Sequence, residues 1–223
     1  MTAERIALGD GCPAALALPA DPPARGLVLL PDIGGLRPLF DDLVAQLAAD
    51  HGWAVCAPEP FAGREQEPVE ERLATMSSYD ATRYLGSVQC AADRLAEAGA
   101  SPIGVLGFCM GGMFTLLAAG TGRFDRSVAF YGMIHIPEAW SGPTLSDPLA
   151  AVAAPEACPV LAIVGADDPF TPAGDVDELE AAGAKVVRYE GAGHGFVHDP
   201  SRPGHRPDDA ADAWRRAVGF LSI

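Results

Sequence analysis

Long apolar runs, basic residues and paired cysteines are all scarce in this sequence, and each scarcity excludes a class of protein. No stretch of about 18 consecutive apolar residues occurs, so no segment is expected to span a membrane. The opening residues, MTAERIALGDG, place no basic stretch before an apolar one, which argues against a secretory signal. Lysine and arginine together number 15 against 30 aspartates and glutamates, a formal net charge of −15. Phosphate backbones are bound by basic surfaces, so nucleic acid is excluded as a partner, and the excess acid reads as a solubilising surface. The cysteines Cys12, Cys56, Cys90, Cys109 and Cys158 are odd in number and scattered. They form no CxxC pair and no Cys/His cluster at zinc spacing, which predicts free thiols in a reducing, cytoplasmic protein and neither metal nor other cofactor.

What is present is an alternation. The 223 residues show no repeat and no low-complexity block, and they predict one domain over 1–223. A chain of that length can bury roughly 70–75% of its unfolded surface without a covalent staple. The segment Arg5–Leu18 reads as a hairpin turning at GDG. Short apolar runs at GLVLLP (26–31), WAVCAP (53–58), IGVLGF (103–108), RSVAFYG (126–132), PVLAIVG (159–165) and KVVRYEG (185–191) read as buried strands. Helical periodicity fills the intervals, at 39–49, through Tyr84, Val88, Ala91, Ala92 and Leu95, at 111–120, at 175–183 and at 209–221. Strands alternating with helices predict a mainly parallel central sheet with helices on both faces. In such sheets functional groups gather beyond the carboxyl ends of the strands.

Three of those ends carry reactive residues. The first is Gly107-Phe108-Cys109-Met110-Gly111, a G-x-C-x-G at a strand-to-helix junction. A nucleophile elbow needs glycines beside the reactive residue to avoid collisions, and a helix N-terminus favours thiolate. The bland alternative is a buried structural thiol. The second end is VGADDPFTP, with Asp167 and Asp168, either of which could serve only as a turn or cap. The third is GAGHGF, whose glycine-rich loop leaves the His194 imidazole free to project. The order Cys, Asp, His is the triad order of α/β-hydrolases.

On these residues the chain resembles the dienelactone hydrolase family, cysteine-dependent members of the α/β-hydrolase fold, from about Gly26 to the C-terminus. The motifs are PDIGG, GFCMGG, VAFYG, GADDPFTP and YEGAGHGF, in that order. The resemblance implies Cys109 as nucleophile, His194 as base and Asp168, through G-x-x-D-x-x-x-P, as the orienting acid. It implies an oxyanion hole from the backbone N–H groups of Met110 and Ile33. A small lactone or ester would be the substrate, and a thioester the intermediate. Neither nucleic acid nor membrane is an implied partner, and monomer and homodimer stay open.

The departures are specific. The family's acidic partner of the thiol is typically glutamate, and here it is Asp32, which could equally cap its own loop. Where the founding enzymes carry an arginine four residues beyond the histidine, this chain has His198. His198 and Tyr131 are the candidate substrate-pocket residues, and Arg64 and Arg72 lie where a second arginine is expected. Residues 134–156 are long enough for a partial lid, with Trp140 either lining a pocket or packing beneath it. A glutamine amidotransferase would pair its cysteine with H-x-E, which His194-Gly195-Phe196 lacks. A non-catalytic or redox-sensing protein using Cys109 on a hydrolase fold is the rival of a different class.

Overall fold

The computed structural model describes residues 1–222, which divide into two compact units. The first unit comprises Met1–Val105 and Pro137–Leu145; the second comprises Leu106–Ile136 and the described residues from Ser146 onward.

In the first unit the hairpin forms as expected: β1 (Glu4–Ala7) pairs antiparallel with β2 (Pro13–Ala17). Next come β3 (Gly26–Leu30), α1 (Pro38–His51), β4 (Ala54–Pro58), the short α2 (Val69–Ala74), α3 (Ala81–Glu97) and β5 (Ile103–Phe108). Strand order is β1-β2-β4-β3-β5, with β3 parallel to β4. The continuous apolar runs of β3 and β4 are buried at every position, as strands covered on both faces must be. Helix α1 buries Phe40, Val44, Leu47 and Ala48, and it stops at Gly52, whose φ of +65° caps the last turn. Helix α3 starts at Asp80, which accepts the N–H of Arg83, and it buries the stripe from Tyr84 to Leu95.

The second unit takes up the end of β5, followed by α4 (Met110–Ala119), β6 (Arg126–Phe130), α5 (Pro148–Val152), β7 (Val160–Gly165), α6 (Ala173–Ala181), β8 (Lys185–Tyr189) and α7 (Pro207–Leu221). Its strand order is β5-β6-β7-β8, and β6, β7 and β8 pair in parallel. Alternation along β6 sorts the core. Ala129 faces Leu116 of α4, Val152 of α5 and Leu179 of α6. Phe130 stacks on Phe108 at 4.8 Å and meets Trp214 of α7 at 5.4 Å. Among the described residues no helix is long and apolar enough to cross a membrane.

The segment 134–156 is divided. Residues 137–145 pack in the first unit, where the Thr144 hydroxyl donates to Tyr79 O and accepts from the N–H of Ala81. Residues from Ser146 pack in the second, where α5 adds Val152 to the core.

Candidate active site

Cys109, Asp168 and His194 all lie in the second unit, just beyond β5, β7 and β8. Strand order β5-β6-β7-β8 brings residues far apart in sequence to one edge of the unit. His194 Nδ1 and Asp168 Oδ2 are hydrogen-bonded at 2.7 Å, and the Cys109 thiol lies close enough to help raise the His194 pKa. Asp168, not its exposed neighbour Asp167, makes that bond. Its other oxygen, Oδ1, accepts the N–H of Phe170 at 2.9 Å, so a carboxylate only 3% exposed has a partner for each oxygen.

Cys109 adopts φ +56° and ψ −118°, a conformation that costs a side-chain-bearing residue of order 1–3 kcal/mol. The surroundings hold it there: its N–H donates to Phe130 O at 3.0 Å and its carbonyl accepts from Met113 at 2.9 Å. A Cβ on Gly107 would stand 2.3 Å from the carbonyl oxygen of Gly111, so the strand can run this close to the helix only with glycine there. Met110 opens α4, and first-turn N–H groups have no acceptor within the helix. Burial pushes the Cys56 thiol up to about 12 and the Cys158 thiol up to about 11, and it raises those of Cys12 and Cys90.

Burial also opposes a charge on His194, but hydrogen bonds to Asp168 and Cys109, with the charges of both, outweigh it. The imidazole pKa is carried up to about 9.

Tyr131 closes β6 and is the second residue with strained backbone, at φ +40°. Four neighbouring strand ends thus carry Cys109, Tyr131, Asp168 and His194. The Tyr131 ring meets the His194 ring edge-on at 5.1 Å, and its hydroxyl shares a 2.5 Å hydrogen bond with His198 Nδ1. His198 is 2% exposed and stacks on Phe108 at 4.5 Å, and Tyr131 is fully buried. His198 and Tyr131, the expected pocket residues, pack as a hydrogen-bonded pair whose rings join the aromatic core.

In the first unit several polar side chains are held by ion pairs and backbone hydrogen bonds, although Arg72 Nε is buried without a hydrogen-bond partner. Asp32 follows β3, accepts the N–H of Gly34 at 2.8 Å, and takes a two-pronged ion pair from Arg37 at 2.6 and 2.9 Å. This loop-capping role competes with the proton exchange expected of Asp32. Arg72 is buried and donates to the carbonyls of Ile33 and Glu65 at 3.1 and 2.7 Å, over the face of Phe61. Buried Glu59 accepts the N–H groups of Leu36 and Phe61. Arg64 pairs with Glu67 and Thr75 beside a cavity of about 180 Å³ that Arg83, Tyr79 and Tyr84 also line. The sequence reading missed Glu59, Arg37 and Phe170. Only the Pro-rich setting of PEPF and LRPLF hinted at ordered loops there.

The chain matches the model of the dienelactone hydrolase family over residues 12–223. It is 30% identical, across 97% of its length and 92% of the relative's, to a probable 2-oxo-3-(5-oxofuran-2-ylidene)propanoate lactonase of Bradyrhizobium sp.. It is 32% identical to a carboxymethylenebutenolidase of Rhodococcus opacus, covering 87% of this chain and 79% of that one. The solved structure of a provisionally assigned dienelactone hydrolase from Klebsiella pneumoniae superposes with a TM-score of 0.87 at 25% identity, over 99% and 98% of the two chains. A Lactobacillus plantarum carboxylesterase matches in fold alone, with a TM-score of 0.71 at 12% identity over the full length of both chains. The mostly parallel eight-stranded pattern is that of the α/β-hydrolase fold.

Proposed function

Because the chain belongs to the dienelactone hydrolase family, we propose that it hydrolyses a small lactone or carboxylic ester with Cys109 as nucleophile, His194 as acid–base and Asp168 as the orienting carboxylate. The observation that carries this reading is the Asp168–His194 hydrogen bond next to a cysteine on strained backbone at the start of a helix.

The chemistry follows from that line. His194 takes the thiol proton, and the sulfur attacks the carbonyl carbon, forming a C–S bond and moving the C=O electron pair onto oxygen. In this reading the N–H of Met110 donates to that oxyanion, and the start of α4 adds its dipole. Collapse breaks the C–O bond as the imidazolium gives its proton to the departing alkoxide, which leaves a thioester. Water then attacks while His194 removes its proton. The C–S bond breaks, and the thiolate recovers the proton from the imidazolium. Asp168 does not exchange protons; it fixes the ring and supports the positive charge.

The substrate in this reading is uncharged. His198 is buried with Tyr131, Arg72 is spent on two carbonyls, and a carboxylate without a fixed cation is costly to bury. The net charge of −15 also slows the approach of anions. Comparing kcat/KM for cis-dienelactone and for an uncharged ester of similar size tests this. The neutral ester should be used at least as well, and a preference of more than about tenfold for the dienelactone would overturn the assignment.

A further inference from the structure

Phe170 is the one exposed aromatic ring among the described residues, at 53%, and it touches the residue that handles the proton. Its ring meets that of His194 edge-on, with centroids 5.0 Å apart and planes 68° apart. It is not a loosely held loop side chain. Asp168 accepts the Phe170 N–H through Oδ1 and the His194 ring N–H through Oδ2, so one carboxylate holds the Phe170 backbone and the His194 ring. The N–H of Thr171 returns to Asp168 O at 3.2 Å, and Pro172 leads directly into α6.

A half-exposed phenyl ring pinned against a histidine gains little as packing and leaves apolar surface in water. On the mechanism proposed above, on which this inference rests, His194 delivers its proton to the oxygen of the departing alcohol. Whatever that oxygen carries must therefore pass close to the rings that border His194. Of the two aromatic rings in contact with it, Tyr131 is fully buried and Phe170 is open. We propose that Phe170 is a specificity-determining residue: its exposed face forms the leaving-group wall, so that the enzyme favours esters of apolar, ring-bearing alcohols over esters of small ones.

The test keeps the acyl group and the chemistry constant. Benzyl and methyl butyrate release alcohols of similar acidity, so their C–O bonds differ little and the apolar surface beyond the oxygen differs greatly. Wild type should prefer the benzyl ester. Phe170→Ala should lose about tenfold in kcat/KM on benzyl butyrate and less than about twofold on methyl butyrate, with an unchanged pH profile. Phe170→Leu should restore part of the benzyl rate. An equal loss on both esters, or a shifted pH profile, would mean that Phe170 only steadies His194 and would overturn the proposal. No loss on either would overturn it as well. Cys109→Ala separates this from the parent reading: full turnover of both esters in that variant would sink the catalytic assignment, whatever the Phe170 ratio.

Discussion

Both units bury ionisable groups at their strand ends, yet on the proposed mechanism only one of them keeps a group poised to react. In the first unit Asp32 is clasped by Arg37, Glu59 by two backbone N–H groups, and Arg72 by two carbonyls. Each interaction neutralises or satisfies its partner, and Asp32, Arg37 and Arg72 together shape the loop after β3. In the second unit the same economy stops one bond short. Asp168 is saturated, but the His194 to which it is bonded leads on to a half-buried thiol on strained backbone. Satisfied polar clusters build architecture, and a reactive site is one whose last member is held in place without being neutralised.

Substitutions at the second cluster should therefore change rate, and those at the first should change stability. The largest effect is expected at Cys109→Ala, with turnover reduced to background and a melting temperature close to wild type. His194→Ala should lose at least about a thousandfold in kcat while still folding, as circular dichroism would show. Asp168→Asn should cost about a hundredfold or more by freeing the ring. Asp167→Asn should stay within about twofold, because its exposed carboxylate makes no contact with His194. A larger loss at Asp167 would mean that the wrong acid has been placed behind the histidine.

The first cluster supplies the contrast. Arg72→Met strands two carbonyls and removes a cation near buried Glu59, whose carboxyl is raised foremost by burial. Denaturant titration should show a loss of about 3 kcal/mol. Arg37→Met, at a side chain 31% exposed, should lose only about 1 kcal/mol. The smallest effect is one of pH. A histidine raised from its ordinary 6.5 to about 9 contributes stability that is complete below about 6.5 and disappears as pH rises through about 9. The melting temperature should fall between those values by a few degrees, and by less in His194→Gln. An equal fall in both would place the titrating group elsewhere.

The difference between the clusters was only half legible in the sequence. Strands and long helices announced themselves because apolar runs and four-residue spacing depend on local order alone. The strand-end residues Cys109, Asp168 and His194 could be picked out because each sits in a short glycine-rich or turn-forming motif. The helix VEERLA (69–74) has almost no apolar face, and PLAAV (148–152) is too short to show a period, so neither carries a helical signal. The ion pair of Asp32 with Arg37 spans five residues of irregular chain, a spacing that carries no periodic signal. The inward turn of His198 and the strained Tyr131 arise from the aromatic packing around Phe108 and Phe130, which only the folded sheet brings together.

The central claim is that the Asp168–His194–Cys109 line makes Cys109 a nucleophile that carries the acyl group. Intact-mass measurement on enzyme quenched during steady turnover of 4-nitrophenyl butyrate tests it most directly. The account predicts a butyryl adduct that maps to Cys109, is released by hydroxylamine, and is absent in Cys109→Ala. Steady turnover with no adduct at Cys109, in an enzyme whose Cys109→Ala variant works as fast as wild type, would contradict it.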